Sequence, residues 1–442
     1  MEIQTYSNDD ESLSWDVVWE TATTIDEKGW TAEYKIPWSA LRFPEVDEQR
    51  WGINFGREIR RNRERSYWNF VDPTVDGFLT QTGRVEGIKN IKPPVRLFFF
   101  PYASAYVENN SANGNAFSNR QNIGMDVKYG INDAFTVDMT LIPDFGQARF
   151  DNQVLNLSQF EVQFNENRQF FTEGVELFNK AGLFYSRRIG GVPYNFEDSF
   201  GQLDTLERFT RNPNQSQLLN ATKLSGRTNG GLGVGIFNAI EGKEIAEIEN
   251  SETKEKRNFQ TNTLTNYNVL VLDQVIRNNS FVTFTNTNVM RQGENRDANV
   301  SQVDFQLADK QNKYAVSAAG AVSNRFVNNK VSTGQKGNVA IEKISGNLIY
   351  SLSHEIITDR FNPNDLGFQT IFNTQETVGS VRLQNYKPKK YFNFWRHTVD
   401  LTYSRIFKPD HFANFSTSWS TVYSTKSFHA FGLNAGVEPI CF

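Results

Sequence analysis

The chain has 442 residues, more than one ordinary soluble domain holds, so two or more units are expected. Lys+Arg 46 against Asp+Glu 50 gives a formal net charge of -4 and no electrostatic case for nucleic acid as a partner. A single cysteine excludes an internal disulfide framework, and four histidines argue against a His-rich metal site.

The first fourteen residues are polar and acidic and lack the basic region and apolar run of a secretory signal. Residues 1–92 then read as one unit. Trp30, Ala32, Tyr34 and Ile36 alternate with Thr31, Glu33 and Lys35, the pattern of a half-buried strand ended by Pro37. Trp51, Ile53 and Phe55 begin a second strand that runs into charged residues from Arg57 to Arg65. That charged run suits an acidic glycan or lipopolysaccharide phosphate, but a solvated strand end and loop is the reading favoured. Lys92-Pro93-Pro94 punctuates the chain, and the domain boundary is placed there.

Beyond Pro94 the chain becomes a succession of alternating segments. Ile123, Met125, Val127, Tyr129 and Ile131 alternate with polar or tiny residues, as do Phe135, Val137, Met139 and Leu141. Leu232, Val234 and Ile236 alternate with Gly231, Gly233 and Gly235; Tyr267, Val269 and Val271 face away from Asn266 and Asn268. The pattern returns at Val399, Leu401 and Tyr403 and at Phe415, Trp419 and Tyr423.

A soluble β-sandwich also alternates, but three features favour a transmembrane barrel. Many segments reach about 9–11 residues, the length a tilted strand needs to cross a bilayer. No convincing amphipathic helix interrupts them. Short turns such as Arg277-Asn278-Asn279 exchange with long polar loops at Glu108–Gln121, Glu241–Thr261 and Gln292–Asn299. The mean hydropathy of -0.54 fits a barrel, whose lumen-facing residues are polar. The expected fold is therefore all-β: a partial β-sandwich over 1–92, then an antiparallel transmembrane β-barrel of about 14–16 strands over 93–442. A non-barrel insert at 143–214 interrupts the barrel and must lie in the lumen or outside the lipid, where its backbone can be satisfied.

The motifs of that insert carry a family resemblance. Pro143-Asp144-Phe145-Gly146-Gln147, Asn156-Leu157, Phe160-Glu161, Asn167-Arg168-Gln169-Phe170-Phe171-Thr172-Glu173-Gly174, Leu177-Phe178 and Phe184-Tyr185-Ser186-Arg187-Arg188-Ile189-Gly190 occur in order. The run resembles the DUF5916 family of Bacteroidota outer-membrane proteins, which join a family 9-like carbohydrate-binding domain to a barrel. Asn364-Asp365-Leu366-Gly367-Phe368 resembles a later motif of that family, and Glu33–Leu41 with Trp51–Phe55 resembles the second half of its sandwich. The resemblance implies an outer-membrane location, an N-terminal domain in the periplasm, and a chain that lacks both ends of the parent.

Sugar recognition sets aromatic faces against the apolar side of a ring, with polar groups to orient it. Trp68, Tyr67 and Trp38 are the candidate glycan contacts, whereas Trp30 and Trp51 are assigned to core packing because they lie on apolar sides of strands. In the insert, Asp144, Glu161, Glu166 and Glu173 stand near Arg168, Arg187 and Arg188 in sequence, and an ion-pair network bracing the insert is expected. Such carboxylates could hold Ca2+ or hydrolyse glycosides, but no calcium-loop pattern and no diagnostic spacing is present, so no cofactor and no metal site is assigned. No nucleophile elbow, phosphate loop, HExxH or CxxC occurs, and no catalytic residue is assigned.

The expected function is binding or passage of saccharide material at the envelope, with outer-membrane lipid and a glycan as partners. The alternatives are a membrane-anchored glycoside hydrolase and a structural or secretion-associated barrel without a small ligand. The oligomeric state is left open.

Overall fold

The computed structural model describes residues 19–438 apart from 39, 40, 42, 44, 63, 76, 93–95, 111–115, 133, 144–153, 173, 229, 278, 294 and 295. Six short strands come first: β1 (Glu20–Asp26), β2 (Gly29–Lys35), β3 (Glu48–Ile53), β4 (Gly56–Ile59), β5 (Glu64–Tyr67) and β6 (Gly83–Lys89). They pair as three separate two-stranded sheets, β1 with β2, β3 with β6 and β4 with β5. The half-buried strand expected around Trp30 is β2, but six of its seven residues are exposed. A two-stranded sheet uncovered on both faces has no inside to offer its apolar side.

The rest of the chain adds β7 (Leu97–Asn110), β8 (Ala116–Gly130), β9 (Phe135–Leu141), β10 (Glu207–Arg211), β11 (Leu218–Arg227) and β12 (Leu232–Glu241). Then come β13 (Glu244–Asn250), β14 (Lys256–Asn262), β15 (Thr265–Arg277), β16 (Ser280–Arg291), β17 (Ala298–Ala308) and β18 (Tyr314–Val327). The last six are β19 (Lys330–Lys343), β20 (Leu348–Ile357), β21 (Thr374–Asn385), β22 (Phe392–Ile406), β23 (His411–Thr425) and β24 (Ala430–Val437). All but β10, β13 and β14 form one fifteen-stranded antiparallel sheet whose spatial order follows the chain from β7 to β24. The fold is all-β and barrel-type, an up-and-down meander with the strand number expected.

Its two ends differ. At one end the joins are short turns, such as those between β15 and β16 and between β17 and β18. At the other lie the insert between β9 and β11, the segment between β12 and β15, and the 358–373 segment between β20 and β21. One join at this end is tight: Asn328 (φ 49) and Asn329 (φ 61) turn β18 into β19, the left-handed pair that a two-residue hairpin requires and asparagine tolerates.

Two expected loops are shorter than foreseen. β7 and β8 run through most of Glu108–Gln121. Within Glu241–Thr261, β13 and β14 fold onto β10 as a small sheet of their own that buries Ala246 and Ile248.

The fifteen-stranded sheet has two unlike faces. On one, large apolar side chains stand exposed in register: Ile236 opposite Leu270, Leu272 opposite Phe284, Leu307 opposite Val316, Val316 opposite Ile341, Ile341 opposite Leu352. The series continues with Tyr350 opposite Val381, Val381 opposite Val399 and Val399 opposite Trp419. On the other face of β11 to β18 lie buried residues packed against the insert. The core of this molecule therefore sits on the concave side, under the insert, and the convex side carries the apolar band.

Candidate functional site

The insert forms a plug. Among its described residues are two short α-helices, α1 (Glu176–Asn179) and α2 (Phe196–Phe200). α1 lies across β12 and β15, and Phe178 is fully buried among Leu177, Phe184 and Phe237, with ring centroids about 6 Å apart. The inward positions of β12 beneath it are Gly233 and Gly235. A methyl group at Gly235 would meet the Phe178 ring at 3.0 Å, so these glycines permit the plug to lie directly on the wall. Burying a phenylalanine of this kind stabilises by roughly 1.5–3 kcal/mol. Tyr267, Val269 and Val271, the apolar side of β15, also face the plug, which leaves Asn266 and Asn268 on the convex side.

The structure brings the foreseen insert residues together in two groups. Arg168 clasps Glu166 at 2.7 Å and donates to the carbonyls of Ile189 and Ser186 at 2.6 and 2.7 Å. The Ser186 hydroxyl donates to the same carboxylate at 2.6 Å, and Arg187 approaches it at 3.9 Å. Burial pushes the Glu166 carboxyl up, but the hydrogen bonds and charge of Arg168, with the bond from Ser186, outweigh it and hold the group below its usual range. The second group is Arg188, bidentate to Glu161 at 2.8 and 2.7 Å. Both carboxylates are thus occupied by guanidinium groups, which removes them as the free pair a glycoside hydrolase needs. Asp144 and Glu173 lie outside the described residues.

Four buried charge sites were not foreseen. Asp273 is fully buried and accepts from Lys180 of the plug, from Arg227 and, at 2.6 Å, from Thr283. Lys223 donates to the Phe170 carbonyl and lies 3.8 Å from Asp138. Glu241 accepts from the Gly190 backbone N–H at 2.5 Å and from Tyr267 and Asn262 at 3.2 Å. Asp365 bridges Arg291 and Arg325, each at 3.0 Å. The available signal was phase: Asp273 falls in step with Tyr267, Val269 and Val271, on the side that reads as buried.

The 358–373 segment straps the plug from outside. The Tyr185 N–H donates to the Leu366 carbonyl at 2.7 Å, Arg188 donates to that of Gly367 at 3.2 Å, and Phe368 packs edge-on against Tyr185. The strap comes so close to the wall that any side chain at Gly334 would collide with the backbone of Phe361.

The plug contacts described fall on β9 to β20. Beyond them, the concave face is small and polar. Ser351, Ser353 and Glu355 of β20 are followed by Glu376, Val378, Ser380 and Arg382 of β21 and by Thr398, Asp400, Thr402 and Ser404 of β22. On β23 the matching positions are Ser416, Ser418 and Ser420. Their hydrogen bonds run across strands, Ser380 to Asp400 at 2.6 Å and Ser404 to Glu376 at 3.1 Å, and Lys336 pairs with Glu355 at 3.0 Å. Between the plug tip, β17 to β19 and the strap is a cavity of about 230 Å³ reached by Gly182, Gln302, Lys336, Phe368 and Gln369.

The N-terminal candidates do not converge on one site. Trp68 is 64% exposed and meets Phe55 edge-on, Tyr67 meets Phe78, and Trp38 packs with buried Phe43 and with Trp51. Trp30, assigned to the core from its phase, is instead 60% exposed with the Arg57 guanidinium over its ring. Trp51 does pack within the Trp38–Phe43 cluster.

No curated protein matches the sequence. Among solved structures, OccK10 (OpdN) of Pseudomonas aeruginosa is similar over 78% of this chain and 92% of its own, at 10% identity and a TM-score of 0.29. OccAB1 of Acinetobacter baumannii is similar over 78% of this chain and 96% of its own, at 8% identity and a TM-score of 0.25. A family model described as Domain of unknown function (DUF5916) matches residues 93–441, the span of the large sheet and its plug, and the chain belongs to that family.

Proposed function

We propose that this chain is an outer-membrane β-barrel protein that passes or binds hydroxyl-rich solutes, saccharide material above all, along the polar half of its interior beside a fixed plug. The observation that carries the reading is the division of one sheet into a convex apolar band and a concave face of serine, threonine and carboxylate over β20 to β23. Lipid covers the first and water the second. Hydroxyls with a few charges of both signs, Glu355, Glu376 and Asp400 beside Lys336 and Arg382, suit a sugar, which offers many donors and acceptors.

On this reading the short-turn end faces the periplasm, as in barrels generally. One contact of the N-terminal unit supports its lying there: the Gly346 N–H in the turn between β19 and β20 donates to the Thr74 carbonyl at 3.0 Å. We read residues 1–92 as part of a family 9-like carbohydrate-binding sandwich that presents Trp68 to a glycan.

Membrane fractionation with gel mobility before and after boiling tests the barrel; a protein absent from the outer membrane, or showing no shift, overturns it. Liposome swelling tests passage. Wild-type protein admits neutral mono- and disaccharides, and Ser418→Trp with Ser353→Trp slows them; equal rates in variant and wild type overturn the polar half as the path. Trp68→Ala is expected to lower retention on polysaccharide resin without altering swelling.

A further inference from the structure

The convex face carries an unexpected polar line. Asn238 of β12 lies opposite Asn268 of β15, Asn268 opposite Asn288 of β16, Asn288 opposite Asn299 of β17, and Asn299 opposite Asn324 of β18. Thr222 opposite Asn238 and Thr333 opposite Asn324 extend it to seven adjacent strands. Their chain neighbours Ala239, Val269, Val289, Ala298 and Ser323 are buried on the concave side, so the amides point outward.

The level of this line is set by the strands. Tyr314, Lys343 and Tyr350 stand side by side on the convex face toward the short turns, the aromatic and lysine pattern of a membrane interface. Asn324 lies ten residues beyond Tyr314 on β18, and Thr333 ten residues before Lys343 on β19. At about 3.4 Å per residue and a tilt of about 40°, that is roughly 26 Å, one full apolar band of roughly 25 Å. The line therefore sits where the headgroups of the opposite leaflet begin.

Part of the line satisfies itself. Asn238 donates to Asn266 and Asn268 at 2.8 Å, Asn286 beside the line donates to Asn299 at 3.2 Å, and Thr333 donates to Asn324 at 2.8 Å. The side chain of Asn288, at its centre and half-buried, makes no hydrogen bond among the described residues. At the headgroup level that amide is free to pair with a group from the membrane side. The line holds no lysine or arginine, which fits poorly with phosphate, whereas amides pair with hydroxyls as both donor and acceptor. Phe326, on the same face two residues past Asn324 and 42% exposed, offers a ring for the apolar side of a pyranose.

We propose that this asparagine row binds the sugar headgroup of a glycolipid in the leaflet at the long-loop end. The inference rests on the outer-membrane reading above and adds a lipid-side site to it.

The test uses the full chain in detergent and follows its melting temperature with added truncated-core lipopolysaccharide or, separately, phosphatidylglycerol. Lipopolysaccharide is expected to raise the melting temperature by several degrees and phosphatidylglycerol to leave it unmoved. Asn268→Leu with Asn288→Leu and Asn299→Leu loses most of that rise. Asn288→Leu alone, which breaks no bond of the ladder, lowers it clearly and guards against misfolding of the triple variant. Equal rises from both lipids, or an unchanged rise in Asn288→Leu, overturn the site. So does a concentration-dependent dimer abolished by the triple variant, since the row is then a contact between copies. Loss of the barrel reading itself shows separately, as a mobility that does not change on boiling.

Discussion

Replacing Asp273 with alanine tests whether the plug is fastened by charge. The carboxylate is fully buried and shared by Lys180, which belongs to the plug, and Arg227, which belongs to the wall. Its removal leaves two cations together and strips Thr283 of its acceptor. Breaking a buried pair costs about 3–5 kcal/mol. The Lys180 and Arg227 side chains keep 18% and 27% of their exposure, so water softens the loss toward the lower figure. About 3 kcal/mol corresponds to a rise of roughly 150-fold in the population with the plug tip released. Limited proteolysis and hydrogen exchange across residues 176–191 read that population in detergent-refolded protein. Asp273→Ala with Lys180→Met and Arg227→Met recovers much of the protection, because removing every member of a buried ion-pair set is close to neutral. Wild-type protection in the single variant would refute the reasoning.

Three further outcomes follow from the same contacts. Glu166 has a depressed pKa in the folded state, so its stabilisation is complete above the ordinary glutamate value of 4.5 and drains as pH falls through the lower folded value. Exchange in the segment around Glu166 is therefore expected to accelerate below about pH 4.5, and Glu166→Gln flattens that dependence. Phe178→Ala empties a fully buried aromatic site and costs about 3–5 kcal/mol in urea unfolding followed by near-UV circular dichroism. Gly235→Val forces a branched side chain against the Phe178 ring, a strain of about 1–3 kcal/mol that loosens the plug while leaving the heat-shifted gel mobility intact.

Much of the sheet was legible because each strand writes its two faces at a period of two. β8, β9, β12, β15, β22 and β23 all lie where alternation put them, and the Arg277–Asn279 turn joins β15 to β16. Alternation tells that two faces differ, not which one meets lipid. On β15 the apolar side faces the plug and the asparagine side faces outward, a reversal invisible until the plug is placed. The ion pairs of Glu166 and Glu161 were readable because their partners are close in the chain. Asp273, Glu241 and Asp365 find theirs across 93, 51 and 74 positions, a distance over which sequence spacing carries no geometry.

The strap also orders events in time. Arg188 meets the Gly367 carbonyl across 179 positions of chain, and that bond cannot form until β11 to β20 have been laid down between them. Closing so long a loop is slow compared with zipping neighbouring hairpins. The latch thus closes late, over an insert already seated on β11 to β18. A chain stalled before residue 367 would carry its plug in place but unstrapped.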